Sequence, residues 1–102
     1  MADLKAEDRA ALELLRQLAR REIGWSTTLV PSIVGCQALA LIKSAPLPKA
    51  PNYRGRIPDP VPLRVAAEFA ADRLLADGDA GDDWRIIAEY STELIRSNIL
   101  ER

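Results

Sequence analysis

Two short stretches hold most of the residues whose types and spacing could do chemistry. The first, "DGDAGDD" over residues 77–83, has the acid density of a calcium loop. A helix–loop–helix calcium site needs acidic or amide ligands at loop positions 1, 3 and 5, glycine at 6 and a bidentate Glu at 12. Counting from Asp77, position 3 is Asp79, but position 5 is Gly81, position 6 is Asp82 and position 12 is Ala88. Glu89 falls one residue late. The departures hit the residues that shape the loop and close the site, so the stretch reads as a helix–helix turn. In that reading Asp82 and Asp83 complement the positive start of the following helix.

The second stretch, "APLPKAPNYRGRIPDPVP" over residues 45–62, contains Lys49, Tyr53, Arg54 and Arg56, with Arg64 just beyond it. Cations around an aromatic ring suit phosphate contacts with base stacking. The segment "PLPKAP" could alternatively present a polyproline II ligand for an aromatic groove. No helix-turn-helix or other nucleic-acid signature accompanies the cations. These five residues are the candidate partner-binding set. Six of the seven prolines lie here, interspersed with Leu47, Ile57 and Val61. Prolines lower the entropy lost on ordering such a segment. The expectation is therefore an ordered strap over residues 45–60, with Arg54, Gly55 and Arg56 at its tip.

Other chemistry is sparse. Histidine is absent, which removes the commonest general base near neutral pH and the commonest transition-metal ligand. The single cysteine, Cys36, excludes an intramolecular disulfide and lies in an apolar run, where it reads as a small buried hydrophobe. No glycine-rich phosphate loop, Cys/His metal spacing or Ser/His/Asp set can be assembled. The expectation is a chain that is not an enzyme and carries no cofactor and no metal.

The elements that must position these residues are helices. Over residues 4–23, Leu4, Ala11, Leu12, Leu15, Leu18, Ala19 and Ile23 share one face at 100° per residue, and Arg9, Glu13, Arg16, Gln17 and Arg20 share the other. Asp3 is placed to cap this helix, and Gly24 is the expected left-handed residue that stops it. A second helix, about 27–43, begins at a Ser26 or Thr27 cap with Pro31 in its first turn. It is apolar all round, with Gln37 its one strongly polar side chain. Nineteen residues from Gly24 to Ile42 carry no charge. The interruptions at Pro31, Ser32 and Gln37 favour a buried central helix over a membrane span, which needs about 20 predominantly apolar residues. Ser32, Cys36 and Ala40, spaced by four, would let a neighbouring helix come close.

A third helix, about 61–76, has an alanine-rich face of Leu63, Ala66, Ala67, Ala70 and Leu74, flanked by Phe69. Arg64, Glu68 and Asp72 step along its expected solvent side, with an i,i+4 pair at Arg64 and Glu68. A fourth, about 83–100, turns Trp84, Ile87, Ala88, Ser91, Leu94, Ile95 and Ile99 one way. No segment alternates at period two.

These elements compose one all-α domain over residues 1–102: a compact four-helix bundle with a long proline-rich crossover between helices 2 and 3. The 102 residues carry 14 bases and 15 acids, a net charge of −1. Nothing global drives the chain to nucleic acid or anionic lipid. The charge is layered, however. Residues 46–64 hold four bases and one acid, whereas residues 65–102 hold four bases and nine acids. The first 23 residues are charged throughout, so no signal peptide is visible and a cytoplasmic location is expected.

By exclusion, the expected function is a non-enzymatic protein–protein interaction module, such as an inhibitor, adaptor or assembly factor. It would act through helical surfaces and the basic strap. The alternatives are a nucleic-acid-associated regulator using the basic waist and a small membrane protein using helix 2. So much apolar helix surface in a short chain also predicts a homodimer. Trp84 and Tyr90 are the expected anchors, with Ser91 and Asn98 hydrogen-bonding across the axis.

Overall fold

The computed structural model describes residues 4–44, 62–76 and 81–100. Four helices pack against each other: α1 (Ala6–Ala19), α2 (Val30–Ser44), α3 (Leu63–Ala76) and α4 (Gly81–Ile95). A 3₁₀ turn, Thr27–Leu29, leads into α2, and a π-helical turn, Arg96–Leu100, extends α4. Among the described residues there is no strand, as the periodicity predicts. The Cα radius of gyration, 12.9 Å, is that of a compact domain of this length, about 13 Å.

The helices form a ring in which α1 touches α2 and α3, and α4 touches the same two. Consequently α2 and α3 stand on opposite sides of the bundle. That arrangement gives a physical reason for a long connection between them, since a short turn serves only neighbours. The strap itself, residues 45–60, lies outside the described residues, and so do the expected cap Asp3 and the turn residues Asp77, Gly78, Asp79 and Ala80.

The first helix ends sooner than its apolar pattern suggests. Its last helical residue is Ala19, and the left-handed residue is Arg21, at φ 62°, rather than Gly24. Glu22 N–H donates to the Gln17 carbonyl at 2.9 Å and Arg21 N–H to that of Leu18 at 3.1 Å. This is the double-bonded helix terminus that usually places glycine where Arg21 stands. Arg20 N–H takes the Arg16 carbonyl, and the Arg64 guanidinium donates to that of Ala19 at 2.6 Å. All four terminal carbonyls of α1 are thereby satisfied. At its start, Lys5 occupies the cap position without a side-chain hydrogen bond.

Ser26 caps the turn into α2, accepting from Thr28 N–H at 3.3 Å. At the other end of the 45–61 gap, the Pro62 carbonyl accepts from Val65 and Ala66 and so starts α3.

The core joins Leu12, Leu15 and Leu18 of α1, Ile33, Cys36 and Ala40 of α2, Ala67, Ala70, Ala71 and Leu74 of α3, and Trp84, Ile86, Ile87, Ala88 and Tyr90 of α4. The most deeply buried element is α4, which corrects the expectation for helix 2. Trp84 is 1 % exposed, and α4 buries residues around more than half its circumference. By contrast α2 buries only Ile33, Cys36 and Ala40. The small row does what small residues allow, since Cys36 and Ala40 lie in the buried face of a helix tightly packed on α4.

The arginine face of α1 is not a solvent face. Arg16 pairs with Asp72 at 2.9 Å and with Glu13. Arg20 meets Glu68 at 3.2 Å and Asp72 at 3.0 Å, and Arg9 donates to the Leu75 carbonyl at 3.0 Å. The acids of α3 thus face α1, in an antiparallel seam. The expected Arg64–Glu68 pair gives way to these longer-range partners.

Candidate interaction surface

Of the basic set, the structure describes Arg64 alone. Its guanidinium is committed to the end of α1, where a cation also complements the negative helix terminus. Lys49, Tyr53, Arg54 and Arg56 lie outside the described residues. No described geometry therefore gathers the basic waist into a surface.

The expected self-association set is placed differently from the expectation. Trp84, Tyr90 and Ser91 are 1 %, 7 % and 0 % exposed and belong to the chain's own core. Ser91 Oγ–H is shared between the carbonyls of Ile87 at 2.7 Å and Ala88 at 3.1 Å, so the hydroxyl is satisfied within its helix. Asn98 Nδ2 donates to the Leu94 carbonyl at 2.9 Å, inside the terminal turn. The physical reason is the deep burial of α4. Flanked by α2 and α3, it uses its large side chains within one chain and has little left to offer a second.

The two described acids of the turn stretch, Asp82 and Asp83, have partners. Asp83, 5 % exposed, accepts from Arg73 Nη2 at 2.6 Å and Nε at 3.0 Å, a forked pair that ties α3 to α4. Asp82 lies 3.7 Å from Arg85. Among the described residues, no group of three or more Cys, Asp or Glu is arranged to hold a metal ion.

Cys36 is a buried thiol, 1 % exposed, and burial pushes its pKa up to about 12, with Asp8 adding to the rise. The thiolate is the nucleophile, so this cysteine is chemically quiet at neutral pH. Burial also raises the Tyr90 phenol above its ordinary value, while Arg64 and Arg21 pull it the other way.

What remains open is the outer face of α2. Val34, Leu41 and Ile42 are 43 %, 53 % and 69 % exposed, and Pro31, Gly35 and Ala38 lie exposed beside them. On a 100° projection these six fall within one arc, opposite Ile33, Cys36 and Ala40. The face carries no charge from Val30 to Ile42. Its flank is anchored by Gln37, whose Nε2 donates to Thr92 Oγ1 of α4 at 2.9 Å. The helical turns Thr27–Ser44 are long and apolar enough to cross a membrane by length and composition, and only 17 % of that window is buried. The sequence signal for this surface was the same all-round apolarity that suggested a central helix. Val34, Leu41 and Ile42 were not singled out because periodicity cannot say which side of an apolar helix stays wet.

No protein-family model, curated protein or solved structure matches the chain.

Proposed function

We propose that this chain is a non-enzymatic protein–protein interaction module that binds through the outer face of α2. The observation that carries the reading is the clustering of Val34, Leu41 and Ile42 on one uncharged helix face at the surface. Contiguous exposed apolar patches on small domains mark interaction sites more often than scattered hydrophobes do. Helix-in-groove and helix-on-helix recognition both use anchors spaced as these are, at i, i+4, i+7 and i+8. Among the described residues, the Cys36 thiol is held protonated, and the carboxylates of Asp72 and Asp83 are engaged by arginines.

A second reading is membrane attachment through the same helix, supported by its length and apolarity. Spanning would require α2 to leave α1 and α4, exposing Leu12, Leu15 and Ile87 to water and breaking the Gln37–Thr92 bond. An interfacial helix would sit flat, but such helices carry Lys and Arg along their polar side. Here Lys43 at the C-terminal end is the one base on α2.

Photo-crosslinking from position 41 in the protein's native cell separates these readings. Adducts to protein, absent when the crosslinker sits at Glu7 on α1, support the interaction module. Adducts to lipid alone, or none, overturn it.

A further inference from the structure

We infer that the occupant of the outer face of α2 is a second copy of this chain, joined by an isologous, antiparallel α2–α2 contact. The inference rests on the interaction reading above and specifies its partner.

Charge comes first. Pairing one face with its own copy repeats every charge it carries, so a charged face repels itself. The exposed side chains of α1, and of α4 with its terminal turn, include Glu7, Arg9, Glu93 and Arg96. The outer face of α2 has none between Val30 and Ile42, so two copies meet there without like-charge contact.

Shape comes second. In an antiparallel pair crossing at Ala38, residues equidistant from the crossing oppose each other. Ile42 of one copy then covers Val34 of the other, and Leu41 covers Gly35. Leu41 thus meets a residue with no side chain, which lets the two backbones approach closely, while the branched Ile42 and Val34 pack on each other. Gly35 is otherwise unexplained. It has no positive φ, and a Cβ built on it meets nothing within 4 Å. A glycine inside a helix costs about 1 kcal/mol relative to alanine, and no contact among the described residues demands one here. A close approach from outside supplies the missing reason.

Area sets the strength. The exposed parts of Pro31, Val34, Gly35, Ala38, Leu41 and Ile42 amount to on the order of 450 Å² per copy, within the range of the largest patch on a typical monomer. Two copies would bury on the order of 900 Å² in all, below the roughly 1,200–2,000 Å² of tight complexes. The dimer is therefore a weak, reversible one with a micromolar dissociation constant.

Sedimentation equilibrium of the full chain over about 1–300 µM provides the test. The expected mass rises with concentration from 11.2 kDa toward twice that value. Gly35→Leu and Ile42→Arg should each raise the dissociation constant by about tenfold or more, a change of about 1.4 kcal/mol. Both lie on exposed positions, and thermal melts of each variant check that the fold is kept. Phe69→Arg, on the opposite side of the bundle at a residue 54 % exposed, should leave the constant unchanged. A mass of 11.2 kDa at every concentration overturns the inference, as does a dimer indifferent to both α2 variants. If the chain is monomeric but position 41 still crosslinks to another protein, the interaction reading stands and only the second copy is lost. Monomers that float with neutral lipid vesicles would give the face to a membrane instead.

Discussion

Arg21 holds a backbone conformation that costs a side-chain-bearing residue about 1–2 kcal/mol and glycine far less. It sits there because α1 must stop after Ala19 for the chain to turn toward α2. Replacing it should reveal that cost: Arg21→Gly is expected to stabilise the fold by about 1 kcal/mol in urea titrations. A loss of stability would mean that the arginine side chain contributes more than its backbone costs. Cys36 supports a prediction in pH. Its folded pKa, about 12, stands above its ordinary value of 9.0 because burial disfavours the thiolate. The protonated thiol is therefore fully compatible with folding below pH 9, and its contribution is lost as pH rises from 9.0 toward about 12. Within that window unfolding should become easier by about 1.4 kcal/mol per pH unit from this group, with Tyr90 adding in the same direction at the upper end. Urea midpoints at pH 8 and pH 10.5 check it. Cys36→Ala should flatten the decline, and an equally steep decline in that variant would assign it to other groups.

At the scale of the element, the α1–α3 seam shows how a charged stripe can be interior to an architecture and still reach water. Arg16, Arg20, Glu68 and Asp72 are each between about a quarter and a third exposed. Screening by solvent therefore limits what each pair contributes. Asp72 matters most, because it accepts from two arginines at once, and its loss leaves Arg16 to Glu13 and Arg20 to Glu68 alone. Asp72→Ala should cost about 1 kcal/mol, and the difference from wild type should shrink in 1 M salt, measured by thermal melts. A salt-independent difference would point to lost packing instead. The arginines and acids of this seam were legible as helix stripes with the right spacing. Their pairing was not, because Arg16 and Asp72 are 56 residues apart and meet only once α1 and α3 are laid antiparallel.

At the scale of the whole molecule, α4 is the element on which the others depend. Trp84 is nearly fully buried between neighbours, and truncating such a side chain costs about 3–5 kcal/mol. That is a large part of the 5–15 kcal/mol available to a domain. Trp84→Ala is therefore expected to lose most of its cooperative thermal transition, measured by circular dichroism. A variant that melts normally but self-associates less would instead return Trp84 to an interface.

The sequence by itself determined that the chain is helical and where each of its four helices lies to within a few residues. Those features follow from 3.6-residue periodicity, caps and prolines, which act over a few neighbours in the chain. It also determined that α2 prefers to leave water. Which helix is buried most deeply was decided only in three dimensions. An apolar helix states a preference for burial, but in the ring it is α4 that buries most, with Trp84, Ile87 and Tyr90 turned inward and Ser91 satisfied within its own backbone. The smaller side chains of α2 line its inner side, and its outer side, with Val34, Leu41 and Ile42, is left facing outward because α1 and α4 between them cover only the arc they can reach.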